Sequence, residues 1–403
     1  MSSFDLDFGL TEEMKAVRES CHRFAEDVMR PVAARLDNMT PEQVIADDSP
    51  LWSALEEFKQ LGLVGMPETY GPDLSPAERA LMHCIVLEEL SWGDVGMFIT
   101  FALFNMTPTI AANFGRQDLV EYFSARDEIS CLAVTEPNHG SDSVAFTEPV
   151  FFDKEITPDC RVRRDGENFI LNGQKSAWVS TGTIAGSTTL FATFEDSDQG
   201  YADGAVFLMP LDLEGITRGK PLNKIGQRSL NQGEIFFDNV KVPRQFLIME
   251  GPEVYPMVWE FYLKGANIAM GQQFIGVARA AYDHALAYAK ERVQGGKPII
   301  EHQAVKTRLF QMFMKLESAR SHIRRVAIAE ATIEGGVPFE HAASCKILAT
   351  QTAFDLANEA IQLFGGNGLC REYPVEKIFR DARASLIEDG ENNLLGLMAA
   401  ARL

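Results

Sequence analysis

The sequence has few basic residues for its length. Its 403 residues include 37 lysines and arginines against 57 aspartates and glutamates, which gives a formal net charge of −20. A chain of this charge repels nucleic acid and anionic membranes, because both carry dense negative charge. We therefore predict no nucleic-acid partner and no membrane partner. Any phosphate-bearing ligand must be met by a few local cations or backbone amides.

Patterns that bind metal ions are also missing. None of the six cysteines lies in a Cys-x-x-Cys pair, and none has the histidine spacing of a zinc site. Scattered cysteines in a long chain are typical of reduced, buried thiols in a reducing compartment. We predict no metal site.

Long apolar runs and targeting segments are lacking as well. The longest nearly apolar run, residues 95–104, is far too short to cross a bilayer. The first residues are acidic and polar, so they predict neither a secretory signal nor a transit peptide. We predict a cytoplasmic protein.

The signature loops of several large enzyme classes are absent. The sequence has no Gly-x-Gly-x-x-Gly that opens a strand–helix unit, no P-loop, no His-Glu-x-x-His and no Gly-x-Ser-x-Gly. Nicotinamide dehydrogenases, P-loop NTPases, zinc proteases and α/β-hydrolases therefore lose their usual support. If the protein is a redox enzyme, its cofactor is not held by a Rossmann loop.

Helical patterns are present at both ends of the chain. Near the N-terminus, apolar residues recur at helical spacing from Met14 to Val28, with Thr11 as N-cap and Pro31 as stop. Residues 266–292 and 303–331 read as long helices, and a further helix ends at Gly365. Long neighbouring helices joined by short turns predict a C-terminal four-helix bundle.

The middle of the chain differs from both ends. From residue 129 to residue 247, short β-prone runs are separated by glycine, asparagine and aspartate, which predicts an antiparallel β unit. We therefore predict an α+β fold of three domains: an N-terminal helical domain over 1–128, a middle β domain over 129–246, and a four-helix bundle over 247–403.

A strand that runs into a polar turn is the first stretch that indicates chemistry. Residues 132–142 read Leu-Ala-Val-Thr-Glu-Pro-Asn-His-Gly-Ser-Asp. Backbone amides in such a turn, with the hydroxyls of Thr135 and Ser141, can bind a polar ring edge or a phosphate. A simple hairpin is the alternative interpretation.

The second stretch that indicates chemistry contains a tryptophan and a serine two residues apart. Asn172-Gly173 predicts a hairpin, and in the strand that follows Trp178 and Ser180 face one side. A large ring and a hydroxyl on one face suit a planar heteroaromatic ligand. A buried core tryptophan is the usual alternative.

Further motifs follow in a fixed order. They occupy residues 224–229, 234–243, 290–303, 360–368, 371–383 and 387–393. Together with the two stretches above, they resemble the acyl-CoA dehydrogenase family from Thr11 to the C-terminus. The family's fold agrees with the three domains predicted from the residues.

The resemblance implies FAD, held between the β domain and the bundle, with part of the cofactor reaching a neighbouring subunit. Three groups of residues would bind it. They are Leu132, Thr135, Gly140 and Ser141 at the isoalloxazine and pyrophosphate, with Glu391 and Asn393 nearby; Trp178 and Ser180 beside the flavin ring; and Arg292, Gln303, Gln362 and Gly366 at the adenylate end, across a dimer interface.

The resemblance also implies a reaction, the α,β-desaturation of an acyl-CoA. A carboxylate takes the α-proton, hydride passes to flavin N5, and the electrons leave to a separate acceptor, commonly an electron-transfer flavoprotein. Family members are usually dimers of dimers, so we expect a homotetramer, with a heteromeric assembly left open.

The catalytic position departs from the family. Where the commonest members have Tyr-Glu-Gly-Thr, this chain has Glu388-Asp389-Gly390-Glu391. Asp389 is shorter than glutamate by one methylene, about 1.5 Å, and a misplacement of about 1 Å can cost on the order of 100-fold in rate. We hypothesise that Asp389 is the base, with Glu388 as its local rival and an alicyclic or branched acyl group as substrate. Asp94 is a candidate second acid or base; a capping or helix-surface aspartate is the alternative.

Three further departures affect ligand binding. Glu391 replaces a hydroxyl near the cofactor phosphates, so we expect its carboxylate to turn away or to bond backbone amides. Gly295 stands where a bulky aromatic is usual. The family's Phe-Asp-x-x-Arg pattern near CoA has lost its arginine, which leaves Lys264, with Ser141, as a candidate substrate-binding residue.

Three hypotheses of function remain open at this point. The first is a flavin dehydrogenase that desaturates an acyl thioester. The second is a family flavoprotein with oxidase or monooxygenase chemistry, and the third is a weakly active subunit of a heteromeric dehydrogenase.

Overall fold

The computed structural model describes residues 10–63, 74–156 and 158–403. Its helices are α1 Glu12–Phe24, α2 Arg30–Leu36, α3 Pro41–Val44, α4 Pro50–Gln60, α5 Pro76–Gly93, α6 Val95–Ala102, α7 Met106–Asn113, α8 Gln117–Ser124, α9 Ser141–Val144, α10 Tyr255–Glu291, α11 Gln303–Thr332, α12 Phe339–Phe364, α13 Val375–Ala384 and α14 Asn392–Ala400. Its strands are β1 Ser130–Ala133, β2 Arg161–Asp165, β3 Asn168–Ser180, β4 Ser187–Phe194, β5 Gly204–Pro210, β6 Ile216–Arg218, β7 Gln232–Val242, β8 Leu247–Glu250, β9 Val293–Gln294 and β10 Lys297–Pro298.

The first helix begins as predicted but does not end as predicted. The Thr11 side chain accepts a hydrogen bond of 3.2 Å from the Met14 amide, so Thr11 is the N-cap. The predicted stop at Pro31 is wrong, because a π-helical turn, Ala25–Met29, carries the helix into α2. Proline has no backbone N–H to donate to the carbonyl four residues earlier, and its ring clashes with that carbonyl. The wider π-helical turn before Pro31 avoids both the missing hydrogen bond and the clash.

The middle domain is built on one sheet. In the described residues its order is β6-β7-β3-β2-β4-β5-β8, and β1 pairs with β4. Most pairings are antiparallel, as predicted, but β4 runs parallel to both β1 and β2. All residues of β4 are buried. Because β8 pairs with β5, the sheet extends beyond residue 246, where we had predicted its end.

The C-terminal domain is helical. The long helices α10, α11 and α12 pack on one another, and the shorter α13 packs on α12 and α10 as the fourth member. Gly365, at φ 61°, ends α12 at the predicted position. Helix α5 packs on α10 and α11, so the N-terminal helices cover one side of the bundle. None of the helices that the structure describes is both long and apolar enough to cross a membrane.

The thiols follow the prediction with one exception. Cys21, Cys84, Cys131, Cys160 and Cys345 are buried, and burial raises the pKa of each of them. The remaining thiol, Cys370, is exposed, contrary to the prediction that all six are buried.

Candidate active site

The turn between α13 and α14 carries the predicted base. Asp389 has φ 52°, a left-handed conformation that few residues other than glycine adopt and that aspartate tolerates. Its backbone carbonyl accepts a hydrogen bond of 3.2 Å from Asn267 Nδ2 of α10. Lys346 of α12 donates to the Gly390 carbonyl at 2.7 Å and to Asn392 Oδ1 at 2.8 Å. The bundle therefore holds this strained turn from two sides.

Two adjacent carboxyls on this turn have different surroundings. Glu388 is half-buried, and its Oε1 accepts a hydrogen bond of 2.7 Å from Gln227 Nε2. Burial, with the nearby charge of Asp389, raises the pKa of Glu388 to about 7. Asp389 is exposed to solvent, yet protein surrounds its carboxyl closely enough that burial raises the pKa, against a lowering by Lys346. Asp389 is thus the carboxyl that a ligand can reach.

Gln227 connects the middle domain to this turn. It lies in the loop between β6 and β7 at φ 48°, and its backbone amide donates to Asp381 Oδ1 at 2.5 Å. Gly226 before it touches α13 so closely that a Cβ would lie 2.3 Å from the Arg380 carbonyl oxygen. The sequence motif over 224–229 therefore places glycine where the loop meets α13, and glutamine where it meets Glu388.

Asp94 is the N-cap of α6. Its Oδ1 accepts hydrogen bonds from the Met97 amide at 2.7 Å and from Ser229 Oγ at 2.5 Å. Its Oδ2 forms an ion pair with Lys377, which also pairs with Asp381 at 2.6 Å. The capping alternative is what the structure shows, although the residue is buried rather than on the helix surface. An acid–base role for Asp94 stays a prediction.

A cavity of about 320 Å³ lies next to the cluster of Asp94, Lys377 and Asp381. Asp94, Lys377 and Asp381 form part of its wall, together with Arg30 and His284, whereas Glu388 and Asp389 do not line it. The exposed carboxyl of Asp389 and this cavity are therefore separate features.

The flavin-ring candidates lie on an irregular part of β3. The pairing of β3 with β7 shifts register between Lys175 and Val179, and such bulges re-aim side chains. Trp178 is 60% exposed there, so it is not the core tryptophan of the alternative interpretation. Ser180 Oγ accepts a hydrogen bond of 3.2 Å from Gln232 Nε2. An exposed ring and a hydroxyl on one strand face fit a planar heteroaromatic ligand.

An ion pair that sequence reasoning missed holds the polar turn after β1 against this strand. Lys175 Nζ and Glu136 Oε1 lie 2.8 Å apart, with side chains only 2% and 3% exposed. Lys175 also donates to the Val134 carbonyl at 2.8 Å, and the Ser176 amide donates to the Thr135 carbonyl at 2.8 Å. The available signal was a glutamate within residues 132–142 and a lysine three residues before Trp178.

Sequence profiles of one family match nearly the whole chain. The acyl-CoA dehydrogenase N-terminal domain matches residues 11–124, the middle domain residues 131–240 and the C-terminal domain residues 259–403. This chain belongs to the acyl-CoA dehydrogenase family. The family consists of FAD-dependent oxidoreductases, so FAD is the cofactor. Its binding by Trp178, Ser180 and the turn after β1 stays a prediction.

Individual relatives agree with the family but differ in acyl group. The mitochondrial short-chain specific acyl-CoA dehydrogenase of Rattus norvegicus is 30% identical, over 98% of this chain and 90% of its own. Benzylmalonyl-CoA dehydrogenase of Aromatoleum aromaticum is 31% identical, over 98% and 99%. The structure of butyryl-CoA dehydrogenase from Megasphaera elsdenii superposes with a TM-score of 0.83 at 26% identity, covering 98% and 99%.

The adenylate candidates of this acyl-CoA dehydrogenase form a separate exposed group. Tyr288 of α10 stacks on Phe364 at a ring distance of 3.9 Å and accepts a hydrogen bond of 2.9 Å from Asn367, which joins the C-terminal ends of α10 and α12. Gly295 and Gly296 have φ of 60° and 81° in the turn between β9 and β10, which explains glycine where the family has an aromatic. The four candidates are all exposed: Arg292 directly follows α10, Gln303 begins α11, and Gln362 and Gly366 lie at or just after the end of α12.

The other departures from the family have direct structural counterparts. Glu391 is the N-cap of α14, and its carboxylate accepts from the amides of Asn393 at 2.8 Å and Leu394 at 3.1 Å. It therefore occupies the helix N-terminus where an anion would otherwise bind. Lys264 pairs with Glu330 at 3.0 Å, a carboxylate that competes with any CoA phosphate. The cofactor-binding and substrate-binding roles of these residues stay predictions.

Proposed function

We propose that this acyl-CoA dehydrogenase desaturates an acyl-CoA thioester between Cα and Cβ, with Asp389 as the base. The observation that carries the proposal is an exposed carboxyl on a turn that Asn267 and Lys346 hold from two helices. The Cα–H bond breaks, and Asp389 takes the proton. FAD, when bound, supplies the acceptor for the hydride that leaves Cβ.

Asp389 is a better candidate than Glu388 for two reasons. Glu388 is half-buried and accepts a hydrogen bond from Gln227, whereas Asp389 is exposed and its backbone, rather than its side chain, is tethered. A pKa raised by burial also makes Asp389 a stronger base than an ordinary aspartate. The rigid turn supports accurate placement of the shorter aspartate side chain, and a base must be placed accurately next to the α-proton to react at a high rate.

We propose that the cofactor site is completed by a second copy of this chain. Trp178, Ser180 and the residues of the turn after β1 hold the flavin end, and Arg292 with its neighbours holds the adenylate of the partner's cofactor. Guanidinium forks match phosphate oxygens, and Arg292 is exposed. Phe310 and Met314, one turn apart on α11, are 63% and 51% exposed, which supports a further contact and a homotetramer.

We propose a branched or alicyclic acyl group and an electron-transfer flavoprotein as acceptor. The aspartate in place of the family's glutamate supports a substrate that sits differently from a straight-chain thioester. The relatives' names, short-chain specific and benzylmalonyl-CoA, differ too much to select one acyl group.

The test is anaerobic mixing of FAD-loaded protein with straight, branched and alicyclic acyl-CoAs while the oxidised flavin band is followed. One class should bleach the flavin. Asp389→Asn should bind FAD normally, because asparagine tolerates a left-handed backbone, and should slow bleaching by about 10²–10⁴-fold, the usual contribution of a general base.

Two results would count against the proposal. No bleaching by any thioester, with FAD firmly bound, would point to oxidase or monooxygenase chemistry or to a missing partner subunit. Undiminished bleaching by Asp389→Asn would remove Asp389 as the base.

A further inference from the structure

We propose that Glu388 is a positioning residue: Gln227 holds it beside Asp389, and the two side chains act as a coupled carboxyl pair. The inference rests on the proposed function of Asp389. Within that function, it assigns a role to a residue that the sequence offered only as a rival base. Glu388 acts through Asp389 and does not itself accept the α-proton.

The geometry separates the two carboxyls into an inner and an outer one. Their Cα atoms are neighbours in the chain, about 3.8 Å apart. Gln227 reaches Glu388 from the middle domain at 2.7 Å, and its own backbone is fixed to Asp381 of α13. Asp389 remains exposed on the outer side of the turn. The inner carboxyl therefore has a fixed neutral partner, and the outer one is free for substrate.

Cations near the pair are engaged elsewhere. Lys224, from the loop before β7, donates to the Leu230 carbonyl and to Gln232 Oε1, both at 2.8 Å. Lys346, from α12, donates to Gly390 and Asn392. Burial lowers the pKa of each lysine to about 8. Neither lysine forms an ion pair with the two carboxyls among the residues that the structure describes.

The more distant charges belong to closed clusters. Behind Gln227, Lys377 of α13 is shared between Asp94 and Asp381. On the turn itself, Glu391 caps α14. The charge of Asp389 therefore acts on Glu388 with only partial compensation by Lys224 and Lys346, and simultaneous ionisation of both carboxyls is disfavoured.

This coupling ties the strength of the base to the state of its neighbour. Burial, with the charge of Asp389, raises the pKa of Glu388 to about 7. Above that pH both carboxyls are charged, and transfer of the α-proton to Asp389 removes their repulsion. Below it Glu388 is neutral and the repulsion is already absent. Proton abstraction should therefore be faster above about pH 7 than below it.

The experiment measures the rate of flavin reduction against pH for FAD-loaded wild-type protein and Glu388→Gln, with a saturating thioester that bleaches the wild type. Glutamine keeps an oxygen that can accept from Gln227 but cannot ionise. In the wild type, the rate of flavin reduction should rise in a step near pH 7, in addition to the change caused by the ionisation of Asp389. Glu388→Gln should lose that step and reduce flavin about three- to tenfold more slowly at about pH 8.5, the effect of up to one pKa unit on the base.

Two further variants test the positioning role. Gln227→Asn keeps a residue that tolerates the left-handed backbone but shortens the amide, so the step near pH 7 should shift while FAD affinity stays unchanged. Glu388→Ala should lose both the step and part of the thermal stability that Glu388→Gln retains. An infrared band of a protonated carboxyl should disappear between about pH 6 and pH 8 in the wild type and be missing from Glu388→Gln.

Each outcome decides one question. A step near pH 7 that persists in Glu388→Gln overturns the inference, while a slow Asp389→Asn leaves the proposed function standing. Abolition of flavin reduction at every pH in Glu388→Gln, with Asp389→Asn active, would make Glu388 the base and overturn both proposals. A lost step together with a slow Asp389→Asn supports both.

Discussion

The ammonium group of Lys346 donates a hydrogen bond of 2.7 Å to the backbone carbonyl of Gly390, one residue beyond Asp389. The lysine is completely buried, and no carboxylate in the described part of the chain forms an ion pair with it. Its bonding partners are the Gly390 carbonyl and the Asn392 side-chain oxygen. A buried lysine that serves two neutral oxygens on one turn is best explained by the need to hold that turn.

Replacing Lys346 with methionine should loosen the turn. The change nearly keeps the volume but removes the lysine's hydrogen bonds to two half-buried oxygens, the Gly390 carbonyl and Asn392 Oδ1. This loss should lower the free energy of unfolding by about 1–3 kcal/mol. Flavin reduction should slow as Asp389 loses its fixed position. Lys315→Met is a matched control, since Lys315 is an exposed lysine paired with Asp355 and should matter by less than about 1 kcal/mol. Equal unfolding free energies for the two variants would contradict the assignment.

Asp94 can be tested by two substitutions that separate capping from proton transfer. Asp94→Ala removes the cap of α6 and one partner of Lys377, so thermal stability should fall, with the cap alone contributing about 0.5–2 kcal/mol. Asp94→Asn keeps a capping oxygen and should lose less. We expect Asp94→Asn to reduce flavin at close to the wild-type rate. A loss of about 10²-fold or more would make Asp94 an acid or base after all.

Trp178 should contribute to FAD affinity through its exposed indole. Trp178→Ala should weaken FAD binding by up to about tenfold, because aromatic pairs add about 0.5–1.5 kcal/mol beyond their buried area. Titration of the apoprotein with FAD measures the effect. Trp259→Phe is the control: this tryptophan is 5% exposed against Phe191, so its loss should reduce stability without changing FAD affinity. Unchanged affinity in Trp178→Ala would remove the indole from the cofactor site.

Glu89 should make the protein sensitive to acid. Burial alone would raise the pKa of Glu89, but the charge and hydrogen bonds of Arg279, with His22, lower it to about 2. The ion pair therefore stabilises the fold fully above the ordinary glutamate pKa near 4.5, and this contribution is lost as the pH falls through about 2.

The measurement is urea unfolding at several pH values between 7 and 2. Wild-type unfolding free energy should fall more steeply than that of Glu89→Gln below about pH 4.5, by on the order of 3 kcal/mol over the window. Glu57→Gln, on the exposed side of α4, should follow the wild type. Parallel curves for the wild type and Glu89→Gln would show that the pair does not control acid unfolding.

Local signals in the sequence predicted most of the fold. Thr11 and Gly365 were identified because a cap and a left-handed stop depend on near neighbours in the chain. Pro31 was misjudged because a proline usually ends a helix, and the π-turn that accommodates it has no strong signature of its own. The parallel pairing of β4 was missed because strand order is set by packing between distant segments.

The candidate site shows the same limit more sharply. Asp389 and Trp178 were found from motifs, but the contact between Gln227 and Glu388 joins residues 161 positions apart. Such a contact depends on how one domain packs against another, and the composition and periodicity of the sequence do not predict that packing. Lys175 and Glu136 are an intermediate case, because each lies in or next to a stretch that indicated chemistry and only their pairing was unknown.

Strand β4 has a consequence for synthesis. Its side chains alternate between two cores, with Leu190 and Ala192 in one and Phe191 in the other, so no face of it tolerates water. Chains emerge from the ribosome N-terminus first. The partners β1 and β2 are then already available, but β5 is complete only at Pro210. A pause after β4 has left the ribosome, but before β5 has, would expose a strand that is buried in the folded protein and has an open edge. Nascent chains of this protein should bind chaperones or aggregate at that edge.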